Sequence, residues 1–279
     1  MATLGSRARR AAALPLETLE DLGDQLSLYG RAIAWIPRTL RRYRGEIARL
    51  LAEVSFGSGA LVVILGTAGV MLSLSLFVGS LVGLQGFRAL DSLGVEALTG
   101  FITAYFNTRD IAPLVASAAL TATLGAGFTA QLGAMRISEE IDALEVMAVP
   151  SVPFLITTRV LAGVIAIIPM YTIGLLASFA SARLNVTLLN GLPGGTYDHY
   201  FDLFLPPSDI LYSYLKVITF SVVVILIHCH YGYRAKGGPA GVGIAVGRAV
   251  RLSIVSTAIL DFFLTLVIYG TSTSVRVAG

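Results

Sequence analysis

Five long apolar segments constrain the fold of this chain more than any other feature of its sequence. Each supplies the roughly 20 apolar residues with which a helix crosses the hydrocarbon core of a bilayer. They lie at about 59–84, 98–135, 154–182, 210–233 and 252–270. Because the bilayer core offers no water to unpaired backbone groups, such segments cross it as helices. With 55% hydrophobic and 13% charged residues, the chain is predicted to be an all-α polytopic membrane protein with five transmembrane helices.

These segments divide the chain into a charged amino-terminal region at 1–58, a five-span domain at 59–270 and a short tail at 271–279. In the first region, apolar residues recur from Leu19 to Leu50 at spacings that alternate between three and four. This predicts one face of an amphipathic helix, which Pro37 is expected to break or kink. Its arginine-rich second half favours a helix that lies in the membrane interface; the alternative is a helix packed on a partner chain.

The distribution of basic residues predicts the orientation, because cytoplasmic loops are enriched in Lys and Arg. Fourteen of the 20 Lys and Arg lie in the amino-terminal region, at Arg136 or between residues 234 and 251, all on one side of the predicted bundle. The chain is therefore expected in the plasma (inner) membrane, with a cytoplasmic amino terminus and an extracytoplasmic carboxyl terminus. A basic membrane-facing surface explains the net charge of +3 better than nucleic-acid binding does. Residues 190–207 are predicted to form a structured extracytoplasmic connection.

The most acidic place in the second half of the chain is the predicted cytoplasmic stretch QLGAMRISEEIDALEVMAV, residues 131–149. Ser138 is expected to cap a short helix there, with carboxylates near the positive end of the helix dipole. One face of this helix is predicted to be apolar and another acidic. The apolar residues are Ile137, Ile141, Leu144 and Ala148, and the acidic face contains Glu139 and Asp142. Both a partner-binding helix and a solvated helix that keeps the loop soluble fit this pattern.

Three charged residues inside the predicted spans are candidates for a functional role, since charge is costly in the bilayer core. They are Arg109, Asp110 and Asp261. Arg109 and Asp110 are adjacent and do not face each other on a helix, so each needs another partner; Arg109 with Asp261 is one candidate pair. A structural ion pair and a place in a substrate path both fit. Arg159, at a span boundary, is expected to reach the phosphate headgroups.

The segment His228-Cys229-His230 is not predicted to bind a metal ion, because alternate residues of a helix point apart and no fourth ligand lies nearby in the sequence. No metal site and no catalytic residue are predicted. The sequence also has no phosphate-binding loop of the form G-x-x-x-x-G-K-[ST], so no cofactor is expected on this chain. Gly79 and Gly83 form a G-x-x-x-G pattern that would let two helices approach closely, as at a dimer face.

Two long motifs resemble those of the MlaE/YrbE permease family, the membrane subunits of Mce-type ABC lipid transporters. The stretch 131–149 is similar to the family's E-L-G-x-M-R-x-T-E-Q-I-D-A-L-x-V-M-x-V, and YGYRAKGGPAGVGIAVGRAV at 231–250 is similar to its glycine-rich loop before the last span. RDIAP at 109–113 and RVLAG at 159–163 resemble two further blocks. Three positions depart from the family pattern. They are Gln131, where Glu is usual, Asp110, where Glu is frequent, and Pro150-Ser151, where Asp-Pro is common.

The resemblance implies a transport subunit with no covalent chemistry of its own. The helix at 136–148 would be a coupling helix that docks in a groove of a cytoplasmic ATPase, as amphipathic helices commonly do. ATP and Mg²⁺ would be bound by that separate ATPase, not by this chain. The coupling residues implied are Arg136, Glu139, Glu140, Ile141, Asp142, Leu144 and Glu145.

The partners implied by the resemblance are a second permease, two ABC ATPase subunits and extracytoplasmic Mce proteins. Actinobacterial members of the family usually pair two different permeases, which suggests a heterodimer. The substrate implied is a hydrophobic lipid of the fatty acid, phospholipid, mycolate or sterol class, moved between the membrane and the cell envelope.

Two other classes of protein remain as alternatives. A membrane-embedded lipid-modifying enzyme would use Asp110, Asp261 and His228 as acid-base groups and would act without an ATPase. A membrane scaffold would bind a cytoplasmic partner through the acidic helix and would transport nothing.

Overall fold

Helices form most of the described part of the chain, which comprises residues 23–56 and 66–270 of a computed structural model. Three amino-terminal helices come first: α1 (residues 23–34), α2 (Ile36–Arg42) and α3 (Arg44–Phe56). The rest of the described chain contains α4 (Thr67–Asp91), α5 (Glu96–Ile137), α6 (Glu140–Val146), α7 (Val152–Leu189), α8 (Gly194–Leu203), α9 (Pro207–Tyr233) and α10 (Gly238–Tyr269).

The five long helices α4, α5, α7, α9 and α10 are each long and apolar enough to cross a membrane, and no other helix in the described residues is. The predicted all-α, five-span fold is confirmed. The predicted first span, 59–84, begins in residues that lie outside the described ranges, and α4 continues past it to Asp91. The short α6 and the chain around 234–237 lie at one end of the bundle, called here the α6 end; α8 lies at the other, the α8 end.

The helix that contains the last predicted span, 252–270, begins well before it, at Gly238. By resemblance to the family, the sequence at 231–250 predicts a glycine-rich loop here, and glycine does weaken a helix. The structure shows why a helix forms nonetheless. Pro239 lies in the first turn, where its fixed φ is favourable, and Gly237 takes the left-handed conformation (φ 89°) just before the helix. A Cβ at Gly241 would lie 1.8 Å from the carbonyl oxygen of Lys236, so glycine is required for this tight turn.

Close packing of α4 on α7 uses the glycines that suggested a dimer face. A Cβ at Gly79 would lie 2.3 Å from the carbonyl oxygen of Ser178, and one at Gly83 would lie 2.8 Å from that of Ala182. The G-x-x-x-G pattern therefore brings two helices of the same chain together. α9 lies at the centre, against α5, α7 and α10, and its side chains from Val224 to Ile227 are all buried.

The described helices contain four π-helical segments, two inside α5, one at the start of α7 and one at its end. A π turn adds one residue to a helical turn and so changes which way the following side chains point. The longest, Thr103–Ile111, contains Arg109 and Asp110. The direction of these two charged side chains is therefore set by an irregular turn that a regular helical pattern does not reveal.

The amino-terminal helices pack on the spans of their own chain. Pro37 lies in the first turn of α2, after a break at Trp35, as its position predicted. Leu28, Ala32, Ile47 and Leu50 are buried, and the Thr157 hydroxyl donates to the carbonyl oxygen of Ala32 (3.0 Å). A second apolar stripe faces outward instead. Leu26, Ile33 and Leu40 belong to the predicted apolar face but are 67%, 49% and 42% exposed.

The connection at 190–207 contains α8, in agreement with the ordered structure predicted there. Tyr197 is buried, and its carbonyl oxygen would lie 2.3 Å from a Cβ at Gly100. Arg183 donates two hydrogen bonds of 2.7 Å to Asp198 on α8, and these lower the pKa of that carboxyl. The helix is thus held against the ends of α5 and α7.

The packing of α4 on α7 is tested by Gly79→Ala. The added methyl group clashes with the Ser178 backbone, so we expect a loss of about 1–3 kcal/mol of stability. Gly127→Ala is the matched control, because Gly127 also lies in a span and has open space at its Cβ position. The measurement is thermal unfolding in detergent. If Gly79→Ala instead left the monomer stable and dissociated a dimer, the intrachain packing would be the wrong explanation.

Candidate functional sites

A buried lysine organises the charged residues inside the spans. The Lys216 side chain on α9 is fully buried, and its ammonium group lies 2.9 Å from Asp110 Oδ1 on α5 and 2.6 Å from Asp261 Oδ1 on α10. It also donates to the carbonyl oxygen of Arg109 (2.5 Å) and to the Thr265 hydroxyl (2.9 Å). Two carboxylates on different helices therefore share one ammonium group.

Arg109 has a different partner from the one proposed from the sequence. Its Nε donates to Asp209 Oδ2 (2.7 Å) in a buried pair, and not to Asp261. The guanidinium lies over the rings of Tyr105 and Tyr269, 3.8 and 4.3 Å from their centres. Arg109 and Asp110 thus point to separate partners, as adjacent residues must.

Asp209 and Lys216 belong to this site although the sequence alone did not indicate them. Both lie near the start of a span, where a charged side chain can reach the membrane interface. Their positions in the sequence therefore did not predict a buried ion pair. One signal was available: the two residues are seven apart, about two helical turns, which places them on the same face of α9. That face meets α5 and α10. The charged cluster thus comprises Arg109, Asp110, Asp209, Lys216 and Asp261.

At the other end of the bundle, the helix predicted at 136–148 is divided. α5 continues to Ile137, and α6 begins only at Glu140. Glu139 between them has a left-handed backbone (φ 60°). The expected Ser138 cap is wrong, since Glu139 is the N-cap of α6 and the Ser138 hydroxyl lies 3.0 Å from the carbonyl oxygen of Ala134 and 2.8 Å from Glu140 Oε1. A left-handed residue breaks the helix here, so α6 is a separate short helix.

The side chains of α6 fall into an inward and an outward set. Ile141 is fully buried and Leu144 packs on the core. Glu139, Glu140 and Asp142 are exposed, and Asp142 accepts from Arg136 (2.6 Å). The outward set also contains two large apolar residues, Val146 and Met147, which are 88% and 65% exposed. α6 thus presents carboxylates and apolar side chains together on its outer surface.

Glu145 makes contacts unlike those of the other acids of α6. Its Oε1 accepts from the Ser151 hydroxyl (2.7 Å) at the start of α7 and from the Tyr233 hydroxyl (3.2 Å) at the end of α9. The two hydroxyls also lie 2.9 Å apart. Glu145 therefore ties α6 to two spans, although it is itself exposed.

Arg159 is buried instead of reaching the headgroups as expected. It donates to the carbonyl oxygen of Leu155 (2.8 Å) and to Gln131 Oε1 (3.3 Å). Gln131 in turn donates to Glu53 Oε1 on α3 (2.7 Å). Gln131, which stands where the family usually has Glu, thus joins α3 to α5 and α7. Its amide accepts a hydrogen bond from a cation and donates one to a carboxylate, whereas a glutamate here could not donate to Glu53.

Residues around this link are also paired. On α3, Arg49 bonds to Glu46 at 2.6 Å and holds the pKa of that carboxyl below its usual value. Near the end of α9, His228 is buried, and its Nδ1 lies 2.7 Å from the Thr129 hydroxyl. Its ring packs over Gly125, where a Cβ would lie 2.6 Å away.

Among the described residues, no three His, Cys, Asp or Glu side chains lie close enough together to hold a metal ion.

Together these features define a polytopic α-helical membrane protein with ion pairs inside its spans and a tethered helix at one end. The sequence profile of the family described as Permease MlaE matches residues 56–267. This is well over half of the chain, so the chain belongs to the MlaE permease family, as its motifs predicted. No structural feature described above conflicts with that assignment.

Proteins similar in sequence include a plant protein and bacterial permeases. Protein TRIGALACTOSYLDIACYLGLYCEROL 1, chloroplastic, of Arabidopsis thaliana is 31% identical over 201 residues, which cover 71% of this chain and 56% of that protein. The intermembrane phospholipid transport system permease protein MlaE of Haemophilus influenzae is 28% identical over 210 residues, covering 74% and 80%. A probable ABC transporter permease protein of Rickettsia bellii is 25% identical over 189 residues, covering 68% and 73%.

As a member of a permease family, the chain is a transport subunit and not an enzyme. The structure also places far apart the residues that a lipid-modifying enzyme would use as acid-base groups. Asp110 and Asp261 both contact Lys216, whereas His228 lies twelve residues further along α9, about 18 Å at 1.5 Å per residue. These three groups could not act on one substrate atom.

The burial of the charged cluster is tested by Asp209→Asn. This change leaves the Arg109 guanidinium without its carboxylate in a buried site, which should cost about 3–5 kcal/mol. Asp198→Asn is the matched control, because it removes the same charge from the exposed pair with Arg183 and should cost less than about 1 kcal/mol. Thermal unfolding of each variant in detergent gives the comparison. Equal losses would mean that Arg109 is solvated in the native protein.

Proposed function

We propose that this chain is the permease subunit of an ATP-driven transporter that moves hydrophobic lipid between a membrane and the cell envelope. The observation that carries the proposal is α6, a separate helix that is anchored inward by Ile141 and Leu144 and exposes acidic and apolar side chains outward. Membership of the MlaE permease family supports it. So do the names of its relatives, one a phospholipid transport permease and others probable ABC transporter permeases.

In this proposal α6 is the coupling helix, and it docks on a cytoplasmic ABC ATPase that binds ATP and Mg²⁺. Glu139, Glu140 and Asp142 would orient it against basic residues, and Val146 and Met147 would enter an apolar groove. Ile141 and Leu144 hold the helix on its own chain instead of contacting the partner. Arg136 keeps its place through Asp142.

The same surface supports the predicted orientation. The amino-terminal helices, α6 and Arg234 lie together, since Arg234 bonds to Asp24 and the neighbouring Tyr233 bonds to Glu145. This end holds most of the basic residues outside the spans, so we place it in the cytoplasm of a cell with a plasma (inner) membrane and α8 outside. The exposed stripe of Leu26, Ile33 and Leu40 beside arginines suits a helix lying in the membrane interface.

Motion of α6 would reach the charged cluster through Glu145 and α9. Tyr233 bonds to Glu145, and Lys216 lies seventeen residues earlier on the same uninterrupted helix, about 25 Å along its axis. A shift of α6 would therefore displace Lys216 relative to Asp110 and Asp261. This supports a place in the substrate path for the cluster, where Asp110 is partly exposed and could face a lipid headgroup.

The remaining partners are assigned to surfaces that are exposed in this chain. α10 exposes a long apolar surface in the span, including Ile259, Phe262 and Phe263, which we assign to a second permease in a heterodimer and to the acyl chains between them. Extracytoplasmic Mce proteins would meet the α8 end. The transported lipid would be a fatty acid, phospholipid, mycolate or sterol, because all four offer the apolar tail that such a surface binds.

Reversing charge on the outer face of α6 tests the coupling role. Glu139→Lys with Asp142→Lys should abolish capture of the ATPase by the permease and, with it, ATP-dependent lipid flux in reconstituted vesicles. The matched control is Asp91→Lys with Glu96→Lys, which adds the same charge at the α8 end. A scaffold would lose the partner but have no flux to lose. Survival of both capture and flux in the α6 variant would refute the transporter proposal.

Removing one hydroxyl tests the link from α6 to α9. Tyr233→Phe deletes the hydrogen bonds to Glu145 and Ser151 but leaves the outer face of α6 intact. We expect normal capture of the ATPase and a several-fold lower lipid flux per ATP hydrolysed. Tyr231→Phe removes a neighbouring hydroxyl that has no hydrogen bond within the described residues and should change neither quantity. Full coupling in Tyr233→Phe would show that force reaches the spans by another route.

A further inference from the structure

A basic groove of about 970 Å³ opens at the α6 end, between α1, the end of α9 and the first half of α10. None of the described residues that line it is acidic, and four are basic: Arg136, Arg234, Lys236 and Arg248. A concave surface lined by one sign of charge concentrates ligands of the opposite sign. The expected ligand is therefore an anion.

Two of these basic residues form no ion pair with any residue that the structure describes. Arg136 pairs with Asp142, and Arg234 pairs with Asp24. Within residues 23–56 and 66–270, neither Lys236 nor Arg248 forms an ion pair, and both are exposed. The groove thus keeps two positive charges available for a ligand.

The groove continues along one stripe of α10 toward the bilayer core. Its lining residues on this helix follow the spacing of a single helical face; they are Gly241, Ile244, Ala245, Arg248 and Leu252. The stripe is about 16 Å long at 1.5 Å per residue. Leu252 begins the last span predicted from the sequence, 252–270, so the groove leads from a basic opening toward the span.

Lys236 lies at the open end of this stripe, and Arg248 lies four residues before Leu252. A helical side chain lies over the turn before its own Cα, which directs Arg248 toward the start of α10 and Lys236. The first turn of α10 adds the partial positive charge of its unpaired amides. The arrangement matches an amphiphile with a negative head and an apolar tail.

We infer that this groove binds an anionic phospholipid from the leaflet at the α6 end. The headgroup phosphate would lie between Lys236 and Arg248, and an acyl chain would continue beyond Arg248 toward Leu252. Basic pockets between spans are recognised headgroup sites. An acidic peptide fits less well, because a peptide backbone along the span would leave its polar groups unpaired in the bilayer core. With the orientation under Proposed function, this is the cytoplasmic leaflet.

Lipid titration followed by native mass spectrometry tests the inference on the full chain in detergent. Phosphatidylglycerol should bind more tightly than phosphatidylcholine with the same acyl chains. Lys236→Ala and Arg248→Ala should each weaken phosphatidylglycerol binding about fivefold, the effect of one basic residue near an anionic headgroup, and leave phosphatidylcholine binding unchanged. Added salt should reduce the preference.

The matched control is Arg88→Ala, which removes one exposed arginine near the α8 end and should leave both affinities unchanged. Thermal unfolding of each variant shows that the fold is kept, and Arg248→Lys should restore most of the preference. Equal binding of the two lipids, or an equal loss in Arg88→Ala, overturns the inference. So does a loss of ATPase capture without a loss of lipid binding, which would make the groove a protein-docking surface. The lipid-binding assay contains no ATPase and measures no flux. The inference can therefore fail while the transporter proposal holds, and the transporter proposal can fail while the inference holds.

Discussion

The contact on which the rest of the bundle depends is that of the Lys216 ammonium with carboxylates on two other helices. A fully buried cation is tolerated in a low-dielectric interior only where several acceptors surround it. Here these acceptors come from α5 and α10, so α9 can occupy the centre of the bundle only with both neighbours in place. The neighbouring pair of Arg109 and Asp209 repeats the arrangement between α5 and α9. Polar contacts therefore specify how apolar helices, which could slide past one another, are aligned.

The number and type of the spans could be predicted from the sequence, because length and hydropathy decide them without knowledge of neighbours. The start of α10 could not. Its glycines weaken an isolated helix, and only the close approach of Gly241 to Lys236 shows that they are needed. In the same way, the outward position of Leu26 and Ile33 depends on which side of α1 meets the spans. A periodic pattern shows that an apolar face exists but not what covers it.

The candidate sites were predicted as sets of residues more successfully than as sets of contacts. Arg109, Asp110 and Asp261 do belong to one charged cluster, yet their partners include Lys216 and Asp209, which a boundary position made inconspicuous. The acids of α6 were placed together, but Glu145 faces Ser151 and Tyr233 while the others face outward. Pairing across helices depends on their rotation and register, and neither can be read from one chain's sequence. The family motifs located the important segments without locating these contacts.

The π turn at Thr103–Ile111 has a consequence for how such a protein can change over evolutionary time. A π turn contains one residue more than the α-helical turn that would replace it, so the deletion of one residue would restore a regular helix. The parts of α5 before and after the turn would then keep their relative orientation, because the α-helical turn covers the same rotation with one residue fewer. Side chains inside the turn would change direction, and Tyr105 and Arg109, which now stack, both lie within it. A single-residue deletion could thus refashion the charged cluster without dismantling the bundle.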